Sequence, residues 1–157
     1  MNTDIFKDFK ECICDCPKCR EACYATRPCF GTPQDIQSII NRGLSDHLML
    51  DWWQLSSFDI CDVDFYILAP AIKGWECKVA PSIPVGECSF YSANKGCVLH
   101  ELQIKPSGGR FTSCKLTDTE SSKLQEIIAQ EWNTSEGRDV VRNWRISHLR
   151  RRRERID

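Results

Sequence analysis

The segment that decides how this chain folds is Cys16-Pro17-Lys18-Cys19-Arg20-Glu21-Ala22-Cys23. Two cysteines separated by two residues can bind one metal ion from a single tight turn, and Cys23 is near enough to supply a third thiolate. The positive charges of Lys18 and Arg20 favour the thiolate, which is the form that binds metal. The segment therefore predicts a loop that is organised by a metal ion.

Cysteines later in the chain, within residues 88–114, can complete the coordination shell, because thiolate sites for zinc or iron usually have four ligands. Cys29, which lies just downstream of the opening segment, is a further candidate. Whether Cys29, Cys77 or His100 completes a site stays open. His47 and His148 have no cysteine at ligand spacing and are interpreted as structural or surface residues. The predicted metal ligands are Cys16, Cys19, Cys23, Cys29, Cys88, Cys97 and Cys114.

Length and charge limit the classes of protein that the sequence allows. The chain has 157 residues, 11 cysteines and a formal net charge of −1. This length favours a single domain over residues 1–157, and the near-neutral charge gives little attraction to nucleic acid or membrane. Residues 1–10 lack an apolar signal core, and no segment approaches the ~20 apolar residues that span a bilayer. We therefore expect a cytoplasmic protein, in which clustered cysteines bind metal rather than form disulfides.

Helix signals are the clearest local patterns. Thr32, Pro33 and Asp35 are typical of a helix start, as N-cap, first helical residue and acidic first turn. Thr117 and Glu120 form a capping box that opens another helix. Apolar residues at helical spacing support further helices, of which the last fades into a basic helical tail over 145–157. The predicted helices are 1–11, 32–43, 45–55, 117–132 and 136–152.

Strand signals are weaker and lie in the middle of the chain. Short apolar segments bounded by Pro and Gly predict strands at 65–68, 78–80 and 97–99, and residues 105–114 are predicted to form a loop. The expected fold class is mainly α, with irregular metal-organised loops and a few short strands.

The cysteine pattern resembles that of the zinc- or iron-chelating cysteine-cluster proteins called YkgJ-like. Their motif has a CxxC unit and a cysteine pair, a Thr-Pro-acidic helix start, and later a cysteine, Gly-Cys, a proline and a last cysteine. The matching segments here begin at Cys16 and Thr32, and continue through Cys88 and Gly96-Cys97 to Pro106 and Cys114. The resemblance spans roughly residues 14–116.

The resemblance implies a set of metal ligands but no particular reaction. Ala22 stands where the family has the first cysteine of its adjacent pair, and Arg20 where a glycine is common, so the chain departs from the pattern there. Cysteines outside the pattern are expected to be buried thiols; these are Cys12, Cys14, Cys61 and Cys77. The ligands that the resemblance implies are Cys16, Cys19, Cys23, Cys88, Cys97 and Cys114.

The sequence is compatible with three functions. The first is a metal-binding protein whose zinc or iron site joins the 16–29 loop to the 88–114 segment. The second is an iron–sulfur or iron-dependent oxidoreductase, although no HxE or HExxH motif supplies a catalytic base. The third is an adaptor that binds nucleic acid or an acidic protein partner through Arg150–Arg153. A solvated helix end, complementing the negative end of the helix dipole, is the simpler interpretation of that arginine segment.

Overall fold

A computed structural model of the chain describes residues 3–11, 16–53 and 65–154. Within these residues the chain forms six α-helices, two two-stranded antiparallel sheets and two short 3-10 turns, at Thr3–Phe6 and Ser45–His47. The helices are α1 (Pro17–Glu21), α2 (Pro33–Asn41), α3 (Val98–Glu101), α4 (Ser107–Phe111), α5 (Asp118–Trp132) and α6 (Ser135–Glu154). The strands are β1 (Leu48–Trp53), β2 (Phe65–Pro70), β3 (Tyr91–Ser92) and β4 (Gly96–Cys97). The expectation of a small, mainly helical fold with short strands is confirmed at this level.

Helix α2 begins where the sequence predicts. Thr32 accepts a hydrogen bond from the Asp35 amide at 3.1 Å, and the Thr32 amide donates to Asp35 Oδ2 at 3.0 Å. This reciprocal capping box satisfies amides that the first turn of a helix leaves without partners. The helix buries Ile36 and Ile39, and Gly43 adopts a positive φ of 78° just after its end.

The predicted helix over 45–55 is wrong. Among the described residues of this segment, only Ser45–His47 form a helical turn, of the 3-10 type. Leu48–Trp53 form β1, which pairs antiparallel with β2. The register runs from Leu48 opposite Pro70 to Trp53 opposite Phe65. Residues 48–51 are all buried, so both faces of the strand are covered. A strand buried on both faces has a continuous apolar pattern, and this pattern cannot be distinguished from a short helix by periodicity alone.

Helices α5 and α6 supply much of the core. Trp132 and Trp144 are buried, at 1 % and 6 % exposure, as their helical spacing predicts. Each indole nitrogen also donates to a backbone carbonyl: Trp132 Nε1 to Gly31 at 2.7 Å, and Trp144 Nε1 to Ser45 at 3.0 Å. The two tryptophans therefore anchor the C-terminal helices onto the segments that flank α2.

Several other predicted elements are shorter than expected. The N-terminal helix over 1–11 is a single 3-10 turn within the described residues, and the 78–80 segment makes one bridge, from Val79 to Leu50. The 97–99 strand is only the end of β4, after which α3 begins, and the 105–114 loop contains α4. Among the described residues, no helix has both the length and the apolar character needed to cross a membrane.

Candidate metal centre

Cys16, Cys19 and Cys114 form the first cysteine group. Their sulfur atoms lie within 4.8 Å of one another, although Cys114 is about a hundred residues away in sequence. Cys16 lies at the N-cap of α1, Cys19 lies within α1, and Cys114 follows α4. The 3.7 Å distance between Cys16 Sγ and Cys114 Sγ is far longer than the ~2.05 Å of a disulfide. Two thiolates on one tetrahedral zinc, at Zn–S of ~2.3 Å, would lie about 3.8 Å apart.

Cys19 makes a further contact of the kind that stabilises a thiolate. Its sulfur accepts a hydrogen bond from the backbone amide of Cys114 at 3.3 Å. A bond to the charged form of an acid favours that form. The group therefore combines ligand spacing with an amide that already points at one of its sulfurs.

Asp35 positions the segment that carries Cys114. Its Oδ2 atom accepts hydrogen bonds from the Ser107 amide at 3.0 Å and from the Ser107 hydroxyl at 2.7 Å, in addition to the capping bond from Thr32. Its other oxygen, Oδ1, lies 3.5 Å from an Arg110 nitrogen. One carboxylate thus holds the start of α2 against α4, and Cys114 lies three residues after the end of α4.

The two glycines of α4 allow this helix to lie directly on the N-terminal loop. The Gly108 amide donates to the Phe30 carbonyl at 2.8 Å. A Cβ atom at Gly108 would lie 2.3 Å from that oxygen, and one at Gly109 would lie 3.1 Å from Cys29 Sγ. Only glycine permits this approach of the two backbones. From the sequence these glycines indicate a turn, and their role in packing is visible only in the fold.

Cys23, Cys29, Cys88 and Cys97 form the second group. The Cys88 amide donates to the Cys23 carbonyl at 2.9 Å, which joins the N-terminal loop to the second cysteine segment. The four thiols are close enough for the charge of one thiolate to act on the others, and Lys105 acts on Cys23 and Cys29. Four potential ligands therefore converge from two segments that are distant in sequence.

Burial makes three of these thiols hard to ionise without a cation. It is the main reason that the pKa of Cys88 rises from 9.0 to about 12, and the charges of Cys97 and Cys23 raise it further. Burial and the charges of Cys88 and Cys97 raise the pKa of Cys29 far above its ordinary value, and burial and the charge of Cys97 raise the pKa of Cys23. The positive charge of Lys105 opposes these shifts at Cys23 and Cys29. A bound metal cation would remove the repulsion and convert the thiols to thiolates.

The two groups differ in spacing. Among the described residues, no three sulfurs of the second group lie mutually within 4.8 Å, whereas those of the first group do. A mononuclear ion brings its ligand sulfurs to within about 3.8 Å of each other. An iron–sulfur cluster is larger and takes four cysteine thiolates from further apart. The chemistry of the second group therefore fits thiolate ligation, and its sulfurs do not repeat the close spacing of the first group.

Arg27, which lies between Cys23 and Cys29, attaches the N-terminal cysteine loop to β1. Its Nη2 atom lies 2.6 Å from Asp51 Oδ2, and the Asp51 side chain is only 7 % exposed. The guanidinium also lies over the Phe30 ring, 4.4 Å from the centroid. A buried carboxylate is stable only with such a partner, so this pair fixes the loop on the sheet.

The structure thus divides the seven predicted ligands into a group of three and a group of four. Each group joins the 16–29 loop to the 88–114 segment. His100 lies exposed on α3 and belongs to neither group. Cys12, Cys14 and Cys61 lie outside the described residues. That the seven cysteines bind metal stays a prediction.

Sequence reasoning missed a third set of potential ligands, formed by Asp46, Cys77 and His148. These residues are spread over more than a hundred positions and have no motif spacing. The one available signal is the place of His148 on the apolar face of α6, one turn after the buried Trp144. The interpretation of His148 as a structural residue rested on the absence of a nearby cysteine in sequence.

Comparisons with protein-family models, with curated proteins and with solved structures yield no match to this chain. The likeness to the YkgJ-like proteins therefore remains a likeness of cysteine spacing. Helix α6 extends through Arg150–Arg153, as the basic helical tail predicts, but the side chains of residues 149–157 lie outside the described part. The protein or nucleic-acid partner of this tail stays a prediction.

Proposed function

We propose that this protein binds zinc or iron through two thiolate sites that join the 16–29 loop to the 88–114 segment. The observation that carries the proposal is the convergence of the Cys16, Cys19 and Cys114 sulfurs within 4.8 Å. Zinc suits this group, because the sulfur spacing matches a tetrahedral edge and zinc needs no particular electronic geometry. Membership of the YkgJ-like family is part of the proposal and rests on the cysteine spacing alone.

The second site holds either a zinc ion or an iron–sulfur cluster. Thiolate ligands are common to both, and no three of the Cys23, Cys29, Cys88 and Cys97 sulfurs show the close spacing of the first group. A cluster would supply one-electron redox chemistry, and this would make the protein an electron carrier or a redox sensor. A zinc ion would make the site structural, organising loops that the small core cannot hold alone.

The two sites can be tested separately with single substitutions. Cys114→Ser changes an exposed residue of the first group, and Cys97→Ser changes a half-buried residue of the second. We expect elemental analysis of anaerobically purified protein to show loss of one zinc equivalent in Cys114→Ser. Cys97→Ser should lose the metal of the second site and leave the first site filled. Equal metal content in both variants and the wild type would contradict the proposal.

Colour decides between the two metals of the second site. A cluster predicts visible absorbance that is bleached by dithionite, absent in Cys97→Ser and retained in Cys114→Ser. A colourless wild type whose zinc content falls by one equivalent in Cys97→Ser would show zinc at the second site instead. Because both readouts use the same protein samples, metal content and redox activity are compared directly.

A further inference from the structure

Three side chains outside the two thiol groups meet beside α6. Asp46 comes from the Ser45–His47 turn, Cys77 from the segment between β2 and β3, and His148 from α6. One potential ligand atom from each lies within 4.8 Å of the other two. Carboxylate, thiolate and imidazole are all ligands of zinc. The donor set therefore suits a divalent ion of the zinc class.

The hydrogen bonding of His148 determines which ring nitrogen faces this site. Its Nδ1 atom lies 2.8 Å from the backbone carbonyl oxygen of Trp144. Because a carbonyl oxygen only accepts, Nδ1 must carry the hydrogen and donate it. In a neutral ring, Nε2 then directs a lone pair at Asp46 Oδ1, which is 3.1 Å away. These two electron-rich atoms repel each other unless a proton or a cation lies between them.

A metal ion fits that position. Imidazoles that bind metal usually donate their other ring N–H to a backbone carbonyl or a carboxylate, which fixes the ring, and His148 does this through Trp144. Zinc bonds to nitrogen and oxygen at tetrahedral angles would separate the two ligand atoms by about 3.3–3.5 Å. The observed 3.1 Å is close to this separation. His148 is 8 % exposed, so water competes little for its nitrogen.

The backbone at Cys77 is unusual in a way that supports a site. The backbone φ of Cys77 is positive, at 60°, a value that residues other than glycine and asparagine rarely adopt. Its amide donates to the Leu48 carbonyl at 2.9 Å, and its sulfur lies 3.5 Å from the Asp46 carbonyl oxygen. Strained conformations of this type concentrate at functional sites. A cysteine at a position suited to glycine is thus held beside the carboxylate and the imidazole.

A nucleophilic triad is a poorer explanation of the same residues. In a triad the imidazole accepts the proton of the nucleophile through one nitrogen while a carboxylate orients the other. Here Nδ1 donates to the Trp144 carbonyl and Nε2 faces Asp46. No ring nitrogen is then available to deprotonate Cys77 while Asp46 orients the ring, so the arrangement suits metal ligation better than a triad.

A cleft of about 280 Å³ opens onto the site, with both Cys77 and His148 in its wall. We propose that Asp46, Cys77 and His148 bind one zinc-class divalent ion whose fourth coordination position opens into this cleft. Three protein ligands and one exchangeable position are the arrangement of catalytic rather than structural zinc. Water or a small exogenous ligand occupies the open position.

The wild-type protein gives the most direct test. With ¹⁵N-labelled histidine, zinc addition should shift the Nε2 resonance of His148 and leave those of His47 and His100 in place. Nε2 should carry no bonded proton in the zinc-saturated protein. Because this measurement needs no substitution, it stays valid even where a variant fails to fold.

Variants then identify the other two ligands. Asp46→Asn keeps the shape of a side chain that is 54 % exposed, and Asp139→Asn is the matched control, since Asp139 is an exposed carboxylate in an ion pair on the same helix as His148. We expect Asp46→Asn and Cys77→Ser to weaken zinc binding at this site by at least about tenfold. Asp139→Asn should bind zinc as the wild type does.

Loss of zinc binding at Asp46, Cys77 and His148 can be distinguished from loss of metal at the thiolate sites. Cys114→Ser should leave the His148 shift on zinc addition unchanged, whatever happens to the first thiolate site. The proposal is overturned if Nε2 keeps a bonded proton at saturating zinc and Asp46→Asn binds as much zinc as the wild type. His148 and Asp46 would then form an ion pair only.

Discussion

Cys88 shows at the scale of a single side chain why a thiolate in the second thiol group needs a cation beside it. Burial, with the charges of Cys97 and Cys23, raises its pKa from 9.0 to about 12. A neutral thiol is stable in such a position, and a thiolate is stable there only beside a positive charge. Lys73 and Lys105 supply part of that charge to the group, and a metal ion would supply more.

The raised pKa of Cys88 predicts how the metal-free protein responds to alkali. The folded state holds its proton more tightly than the unfolded state, so this contribution to stability is fully present below pH 9 and is lost between about pH 9 and 12. The free energy of unfolding should fall by about 1.4 kcal/mol per pH unit for each such thiol. Denaturant unfolding of the reduced, metal-free protein at a series of pH values measures this slope. Cys88→Ser should fall less steeply, and equal slopes would contradict the assignment.

Gly108 allows a close backbone approach between the two cysteine segments. A Cβ atom there would lie 2.3 Å from the Phe30 carbonyl oxygen, which belongs to the backbone and cannot rotate away. We expect Gly108→Ala to destabilise the protein by about 1–3 kcal/mol and to weaken metal binding. Thermal unfolding and zinc competition with a chelator measure the two effects.

Gly43→Ala is the control for this substitution. Gly43 has a φ of 78°, and no described atom lies within 4 Å of the position that a Cβ atom would take, so alanine there strains the backbone without pushing on the cysteine segments. It should lower stability and leave metal affinity unchanged. If both variants weaken metal binding equally, the contact at Gly108 is not what positions the thiols.

At the scale of elements, Asp35 links the start of α2 to α4. It does this with one carboxylate, through the Thr32 amide, the amide and hydroxyl of Ser107, and Arg110. Capping boxes occur at the starts of both α2 and α5, and within the described part of the chain only the box at α2 is hydrogen-bonded to a second element. The link places Cys114, which follows α4, beside the N-terminal loop.

Asp35→Ala should therefore reduce both stability and metal binding. Loss of a partly buried carboxylate with several hydrogen bonds predicts about 2–4 kcal/mol of destabilisation. Glu120→Ala removes the same capping role from α5, where the carboxylate is exposed and forms no hydrogen bond or ion pair with a second element among the described residues, and should have a much smaller effect. Denaturant unfolding and zinc titration of the two variants make the comparison. An unchanged zinc affinity in Asp35→Ala would contradict the link between α2 and the first thiolate group.

Local signals in the sequence were enough to predict some elements and not others. The capping residues Thr32 and Thr117 located α2 and α5, because a cap and its helix are adjacent in sequence. Strand β1 was predicted as a helix, because its pairing with β2 and the cover on both faces come from distant parts of the chain. Helix α4 was missed because its two glycines are typical of a turn and are explained only by contact with Phe30 and Cys29.

At the scale of the whole molecule, two cysteine-rich segments are folded onto each other by ordinary packing and hydrogen bonds. The sequence predicted which cysteines are candidate ligands from their spacing. It could not predict the division into three and four, because spacing says nothing about which distant residues meet. The Asp46, Cys77 and His148 group was unpredictable for the same reason, since its members come from three separate elements.

Metal removal should affect the whole fold. Structural zinc in thiolate sites contributes about 10–16 kcal/mol, which is comparable with the ~5–15 kcal/mol stability of an entire domain. We expect a strong chelator to lower the midpoint of thermal unfolding sharply, and zinc or iron to restore it under anaerobic, reducing conditions. Circular dichroism during heating measures both steps. A midpoint that is the same with and without chelator would show that the loops do not depend on metal.

X-ray absorption spectroscopy of the anaerobically purified protein tests the central claim most directly, because it identifies the bound metal and its nearest atoms together. Thiolate sites predict stoichiometric zinc or iron with sulfur neighbours at about 2.3 Å. Cys114→Ser and Cys97→Ser should each reduce the sulfur signal. A protein that is folded and free of metal, or whose metal has only nitrogen and oxygen neighbours, would contradict the account.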